Sequence, residues 1–342
     1  MNSTGNSWRV ALLTAIVAGA GLAATACGSG GSPAVNAPPA SAHVAAEKAA
    51  TLSWLATTNQ MWTKGNFAAL DQVTTGEMRT IYRSEQRQAA QAKTASRQPF
   101  QLSGLSITVP CSSGENETFV AYADTDVFTL GRGMQPVAMV FSRTGGGWKL
   151  AAAVNQPGGS SGWPALCRQR TGRQGTATTA PAVLAPGGYA PELARVLTGA
   201  QSGASETTAA AAPFALNGFL SGPGSISAQF TRQLRQDRRG GVTIAGRFTT
   251  TPDPTFALPL ANGRGYWLIG TLTQSDSYSS PSGLRKAAWP DGNTVATPRP
   301  AVVHHQADTF ITTYTAIDPL RSDGGTVALD GFFGWPLTAV AS

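Results

Sequence analysis

The three cysteines are the residues of this 342-residue chain whose spacing points most directly to chemistry. Cys27 ends an apolar run, Val10–Ala26, which follows the single basic residue Arg9. A short basic start, an apolar core and small residues before a cysteine are typical of a signal peptide whose cysteine becomes acylated. The sequence therefore predicts that residues 1–26 are removed and that a lipid is attached to Cys27.

The residues immediately before Cys27 are Ala24, Thr25 and Ala26. They are similar to a bacterial lipobox, whose small side chains admit the lipoprotein signal peptidase, although Ala24 stands where leucine is usual. The alternative is an ordinary secretory signal cleaved near Ala26, which would leave Cys27 as a free thiol. The apolar run is shorter than the roughly 20 residues that span a bilayer. We expect a protein anchored by its lipid on the extracytoplasmic face of the cell membrane.

Cys111 and Cys167 remain as a pair once Cys27 carries a lipid, and disulfides persist outside the cytoplasm. Closing the 56 residues between them would stabilise the fold by about 3–4 kcal/mol in the chain-entropy model. Neither cysteine lies in a C-x-x-C spacing, and three histidines are too few for a persuasive zinc site. The pair predicts a structural disulfide, and we expect neither a metal nor another cofactor.

A second candidate site lies on a predicted strand. Alternate strand residues share a face, so Tyr122, Asp124 and Asp126 point the same way. A half-apolar face that ends in two carboxylates could line the mouth of a pocket, with either aspartate as a general base. The other interpretation is a solvated strand end beside a turn.

A basic stripe is formed by Arg232, Arg235, Arg238 and Arg239, which recur at helical spacing. Such a stripe could contact anionic lipid headgroups or an anionic wall polymer. The alternative is a solvated helix face. The net charge of +7 suits acidic envelope polymers as neighbours, and nucleic acid is not expected outside the membrane.

Three further patterns are weaker. The segment Gly158–Gly162 satisfies G-x-S-x-G, but no helical pattern follows it, so we interpret it as a chance match. His304, His305 and Asp308 form a histidine cluster, yet adjacent strand histidines face opposite ways and cannot easily share a metal. Sugar stacking or packing under a loop would explain the Trp-Pro pairs at Trp163, Trp289 and Trp335.

The composition divides the chain into segments that must position these residues. After the signal peptide, residues 27–44 are rich in Gly, Ser and Pro and predict a disordered tether. Residues 45–155 read as helices followed by strands, and residues 156–185 as a linker. Residues 186–342 repeat the same plan. The sequence therefore predicts an α+β protein with two helix-plus-antiparallel-sheet domains.

In the first domain, Thr74 and Glu77 fit a capping box that opens a helix. Its buried side is predicted at Met78, Ile81, Tyr82 and Ala89. An earlier helix would bury the stripe formed by Ala45, Ala49, Leu52, Leu55, Asn59 and Trp62. Strands are expected at Phe100–Val109, Thr118–Phe128, Pro136–Ser142 and Gly147–Val154.

In the second domain, helices are expected at Tyr189–Thr198 and Phe230–Arg238, and residues 275–299 read as a projecting loop. Strands are expected from Val242 and at Gly265–Gln274, Ala301–Ala316 and Thr326–Val340. The segments Phe100–Pro110 and Val242–Pro252 share a Gly and a Pro at a constant offset, which suggests either duplication or chance.

Two segments carry a resemblance to known families, Asn59–Arg87 and Ala138–Leu150. Together with the lipobox and the tether, they resemble uncharacterised surface lipoproteins of actinobacteria, which carry a domain of unknown function. The order of two helices and a curved sheet resembles the NTF2-like, or cystatin-like, cone. This resemblance implies two cone-like α+β domains and brings no catalytic residues with it.

The function expected from the sequence is non-enzymatic binding or scaffolding at the cell envelope. The ligand would be a small apolar molecule, a wall fragment or a partner protein. One alternative is a hydrolase or isomerase that uses Asp124 or Asp126 in a pocket. Another is a binder of anionic wall polymer that uses Arg232, Arg235 and Arg238.

Overall fold

The computed structural model describes residues 41–92, 99–111, 117–127, 133–156, 162–168, 182–202, 214, 235, 239–285 and 302–341. These residues form helices and two antiparallel sheets, one of four strands and one of five. The predicted α+β class with antiparallel sheets is confirmed at that level. Cys27 and most of the tether lie outside the described residues. Within the described residues, no helix is long and apolar enough to cross a membrane.

The helices and strands follow the predicted order closely. The helices are α1 (Ser41–Lys64), α2 (Leu70–Val73), α3 (Gly76–Ala92) and α4 (Pro186–Gln201). The first sheet consists of β1 (Leu102–Thr108), β2 (Thr118–Thr125), β3 (Gln135–Thr144) and β4 (Gly147–Asn155). The second consists of β5 (Thr243–Thr250), β6 (Phe256–Pro259), β7 (Gly265–Arg285), β8 (Val302–Pro319) and β9 (Ala328–Ala341).

The buried face of α1 differs from the prediction. Leu52, placed in the buried stripe, is 46% exposed, and Ala45 and Ala49 are also exposed. The buried side instead carries Glu47, Thr51, Trp54, Thr58, Met61 and Trp62. The predicted stripe was wrong over its first half because alanines contribute little buried area, whereas Trp54 and Met61 dominate the packing. The helix itself was predicted correctly.

The start of α3 is capped by a residue from the other half of the chain. Asp253, in the loop after β5, accepts a hydrogen bond from the Glu77 backbone amide through Oδ2. The Thr74 hydroxyl donates instead to the Leu70 carbonyl, at 2.8 Å, so it does not form the predicted capping box. Gly76 has a φ of 53°, and a Cβ there would collide with the Asp253 carboxylate. A carboxylate at a helix N-terminus satisfies free amides and suits the helix dipole.

The first sheet is a meander in the order β1–β2–β3–β4, with each strand antiparallel to the next. One face packs on α1 to α3, where the rings of Phe119 and Phe141 stack 4.7 Å apart opposite each other on β2 and β3. The other face carries Val120, Ala138, Val140, Ala152 and Val154, which are also buried. Both faces of this sheet are therefore covered, and its central strands read as continuous apolar runs.

The second sheet has the order β5–β7–β8–β9, and β6 pairs with β7 beyond the end of β5. The expectation of a loop at residues 275–299 was wrong over its first part, because β7 continues as a strand to Arg285. Serine and glycine suggested a turn, yet both neighbours of β7 supply paired backbone along this stretch: β5 pairs with Leu272–Ser279, and β8 pairs as far as Arg285. Such pairing outweighs the low strand propensity of these residues.

The two sheets pack against each other through a buried apolar layer, which we call the central layer. In addition, Ile311 and Trp335 of the second sheet join the core beneath α1 to α3. Trp267 and Ile269 of β7, together with Leu258 of β6, contact the second face of the first sheet. Trp267 and Ile269 have no solvent-exposed surface. The opposite face of the second sheet packs on α4. The described residues thus stack as α1 to α3, the first sheet, the second sheet and α4.

The predicted disulfide is confirmed. Cys111 and Cys167 are bonded, with their Cα atoms 5.4 Å apart. The Cys111 amide donates to the Cys167 carbonyl at 2.9 Å, and the Cys167 amide donates to the Pro259 carbonyl at 2.8 Å. The segment around Cys167 is therefore covalently joined to the first sheet and hydrogen-bonded to β6 of the second.

Replacing Trp267 by alanine tests the central layer. We expect a loss of about 3–5 kcal/mol in the free energy of unfolding, because a fully buried indole leaves a cavity that rigid sheets cannot close. Urea unfolding followed by far-UV circular dichroism measures the loss. Trp163→Ala is the matched control and should cost less, because Trp163 is only half-buried beside the same layer. An equal loss in both variants would contradict the assignment.

Candidate functional site

The end of the second sheet that lies beyond the central layer along β7 has two faces with different chemistry. We call this region the distal end and define it as Thr243–Arg247, Ser275–Ser279 and His305–Asp308. Strand alternation sends Asp276, Tyr278, Gln306 and Asp308 toward α4. The residues between them point to the opposite side.

A cluster of carboxylates and amides occupies the α4 face of the distal end. Asp276 accepts hydrogen bonds from the side-chain amides of Gln201 and Gln274 and from the Tyr278 hydroxyl. The Gln201 amide reaches it from the last residue of α4, across Gly246 of β5. A Cβ at Gly246 would lie 2.3 Å from the Gln201 amide nitrogen. Glycine at this position therefore allows α4 to approach the sheet.

A second buried carboxylate lies directly opposite the first. Asp308 on β8 pairs in register with Asp276 on β7, and its two carboxylate oxygens accept hydrogen bonds from the Gln306 side-chain amide at 2.8 and 2.9 Å. Burial raises the pKa of Asp276, and its hydrogen bonds with Gln201, Gln274 and Tyr278 oppose that rise. The amide oxygens of Gln201 and Gln306 are buried without a hydrogen-bond partner. The cluster is therefore a hydrogen-bonded group of buried polar side chains between the sheet and the end of α4.

A cavity of about 300 Å³ opens on the opposite face. Two rows of cross-strand neighbours surround it, Thr243–Ser279–His305 and Ala245–Ser277–Ala307. Tyr278 and Gln306 lie between the rows, and because their side chains point toward α4 they contribute backbone to its floor. The cavity is therefore shallow, walled by small side chains and one imidazole.

The sequence-predicted pocket residues lie elsewhere, on the first sheet. The Tyr122 ring packs 5.6 Å from the Trp163 ring, and burial raises the pKa of its hydroxyl. Asp124 is exposed at the end of β2. Asp126, in the turn beyond the strand, accepts a hydrogen bond of 2.7 Å from the Gln101 backbone amide. Asp124 is thus solvated at the strand end, whereas Asp126 holds a turn.

The predicted basic stripe is only partly described. Arg232 and Arg238 lie outside the described residues, whereas Arg235 and Arg239 are exposed. Arg239 comes four residues before the first residue of β5, next to the distal end. One member of the stripe, Arg239, is therefore only four residues along the chain from Thr243, which lines the cavity.

The predicted histidine cluster does not converge. His304 contacts the Ser280 carbonyl through Nδ1, on the α4 side, and His305 lies in the cavity wall on the other side. Asp308 points toward α4, away from His305. Among the described residues, no group of three or more His, Cys, Asp or Glu side chains is placed to hold a metal ion.

Of the Trp-Pro pairs, the tryptophans that the structure describes pack against other aromatic rings. The Trp163 ring lies between those of Tyr122 and Trp267, with centroids 5.6 and 5.8 Å away. Trp335 is buried against Phe333. Trp289 and residues 157–161, which include both serines of the G-x-S-x-G match, lie outside the described residues.

The distal end was missed by the sequence analysis, although a signal for it exists. From Thr271 to Ser279, every second residue is a threonine or serine, and the residues between include Gln274, Asp276 and Tyr278. This is a period of two with both faces polar, which fits a strand whose two faces carry different polar groups. The serines and the following Pro281 and Gly283 suggested a loop instead.

Comparison with family models, with curated proteins and with solved structures finds no match for this chain.

Two further buried acids make stability depend on pH. Burial, with a smaller contribution from Asp253, raises the pKa of Glu77 to about 6. Burial also raises the pKa of Asp318 to about 6, against the opposing hydrogen bonds from the Leu184 and Val183 amides. Each folded-state pKa lies above the ordinary value, so the folded protein binds these protons more tightly than the unfolded chain does. Their contribution to stability is complete below about pH 4 and is lost as the pH rises through about 6.

We therefore expect the urea midpoint to fall as the pH is raised from about 5 to 7.5, which is the window set by these two groups. Glu77→Gln should flatten the dependence, because it removes one titrating group and its repulsion with Asp253. Glu117→Gln is the control, since Glu117 is an exposed surface carboxylate, and it should leave the slope unchanged. A midpoint that rises over this window would refute the assignment.

Proposed function

We propose that the protein is a lipid-anchored, extracytoplasmic protein with a non-enzymatic binding or scaffolding role at the cell envelope. The observation that carries the proposal is the Cys111–Cys167 disulfide. It accounts for two of the three cysteines and leaves Cys27, which follows an apolar run and small residues, as the acylation site. A disulfide that closes a long loop also suits an oxidising compartment.

The tether supports an arrangement in which the folded part lies close to the membrane surface. Cys27 precedes the first residue of α1 by 14 residues, and the intervening chain is rich in Gly, Ser and Pro. Flexible segments of this length span roughly 20 Å on average. The membrane would thus be a partner through the lipid alone, and envelope polymers or envelope proteins would be within reach.

The finer fold assignment is part of the same proposal. Three helices that cover one face of a four-stranded antiparallel meander support an NTF2-like, or cystatin-like, first domain. The first sheet supplies most of the apolar core beneath α1 to α3, to which Ile311 and Trp335 of the second sheet are added, and the second sheet packs a separate core on α4. This division supports domains at residues 45–155 and 186–342 joined by the segment 156–185. The proposed kinship is with surface lipoproteins of actinobacteria.

A binding role is favoured over the hydrolase or isomerase by the placement of polar groups. Asp124 is exposed and Asp126 caps a turn, and neither carboxylate lines the cavity of the distal end. The cavity of the distal end is walled by hydroxyls, methyl groups and an imidazole, which suit recognition of a ligand.

Metabolic labelling with a clickable palmitate analogue tests the anchor. We expect the full-length protein to incorporate the label and to partition into the detergent phase, and Cys27→Ala to lose both properties. The control carries Cys111→Ser together with Cys167→Ser and should keep the label, because those cysteines form the disulfide. Labelling that persists in Cys27→Ala, or an unlabelled protein that keeps its intact N-terminus, would refute the proposal.

A further inference from the structure

The distal end carries an exposed polar face on the side away from α4, which we call the open face. Its cavity lies where two cross-strand rows meet, so β-sheet register places residues of three strands side by side. Thr243, Ala245, Ser277, His305 and Ala307 are all exposed, and Ser279 is half-buried.

The floor of the cavity is backed by hydrogen-bonded side chains on the α4 side. The Tyr278 hydroxyl donates a hydrogen bond to Asp276 within β7, and the Gln306 side-chain amide donates to Asp308 within β8. The two strands that form the floor are joined by their antiparallel backbone pairing. A cavity of about 300 Å³ is at the lower end of the size range of small-ligand sites.

The walls suit a ring that carries hydroxyl groups. Thr243, Ser277 and Ser279 each offer a hydroxyl that both donates and accepts hydrogen bonds. The methyl groups of Ala245 and Ala307 lie between them and offer apolar contact to C–H groups. Alternating hydroxyl and methyl contacts match the surface of a sugar ring.

Among the described residues, the open face carries the cationic side chain of Arg247 and no carboxylate. Arg247 lies two residues beyond Ala245 on the same face of β5, about 7 Å along the strand, within reach of a group bound in the cavity. His305 lies in the wall. None of the ion pairs found among the described residues involves Arg247 or His305. Both described carboxylates of the distal end, Asp276 and Asp308, point toward α4 instead.

We propose that the cavity of the open face binds a carboxylate-bearing sugar unit of an envelope glycan. The ring hydroxyls pair with Thr243, Ser277 and Ser279, the ring C–H groups pack on Ala245, and the carboxylate lies toward Arg247. The inference rests on the proposed binding role at the envelope and identifies the ligand class for it.

Calorimetric titration of the detergent-solubilised full-length protein with a short oligogalacturonate tests the ligand class. The matched probe is the same oligosaccharide after reduction of its carboxyl groups. We expect the acidic probe to bind about tenfold or more tightly than the reduced one, which corresponds to about 1.4 kcal/mol. Arg247→Gln should remove most of that difference. Arg321→Gln makes the same charge change in the turn beyond the other end of β8 and should leave binding unchanged.

A steric variant tests the position of the site. Ala245→Phe places a ring in the cavity at an exposed position, so we expect it to fold, by circular dichroism, and to lose binding. Thr249→Phe adds the same bulk to an exposed position on the same face of β5, away from the cavity, and should bind normally.

Four results would overturn the inference: no binding of either oligosaccharide, equal binding of both, unchanged binding by Ala245→Phe, or equally effective competition by inorganic polyphosphate. The palmitate labelling of Cys27 reads out the anchor independently. A labelled protein that fails to bind the probe therefore refutes the ligand class and leaves the proposed anchor standing.

Discussion

The apolar contact between the two sheets is the constraint on which the rest of the structure depends. Val120 and Val140 of the first sheet and Trp267 of the second are all fully buried in the central layer. Each sheet must also bury its other face on helices, so β2, β3 and β7 are apolar on both sides where they cross this layer. The contact brings residues far apart in the chain together, as when Asp253 caps α3.

The length of β7 explains why the distal end exists. Its first residues contribute Trp267 and Ile269 to the central layer, whereas its later residues continue past the cover of the first sheet. Beyond that cover, one face of β7 no longer has to be apolar, and its side chains there are those of serine and threonine. On the other side α4 ends at Gln201, and the apolar contact gives way to the carboxylate and amide cluster. One strand thus supports both the core and the candidate binding surface.

The sequence predicted most elements, and its failures have definite physical causes. The strands of the first sheet and α4 were recognised because apolar alternation and helical spacing were strong there. The buried stripe of α1 was misplaced because alanine spacing resembled a core face, while Thr51 and Thr58 are buried beside large neighbours. The extension of β7 was missed because its own residues have low strand propensity, and the strand is formed through backbone pairing with β5 and β8. The predicted capping box at Thr74 was wrong because the Glu77 backbone amide donates its hydrogen bond to Asp253 instead. Asp253 lies 176 residues further along the chain, so no local pattern reveals this contact.

By itself, the sequence determined the class of elements, because helical and strand periodicity is a local property of the chain. It also determined the pairing of Cys111 with Cys167, because they are the two cysteines that follow the predicted signal peptide and Cys27. Only the tertiary structure decided which polar residues share a surface. Asp124 and Asp126 are close in sequence, yet Asp124 is exposed on β2 and Asp126 holds a turn, because β2 ends between them. Thr243, Ser279 and His305 are far apart in sequence but form one row, because strand register joins them. Register depends on long-range pairing and burial, which no local pattern specifies.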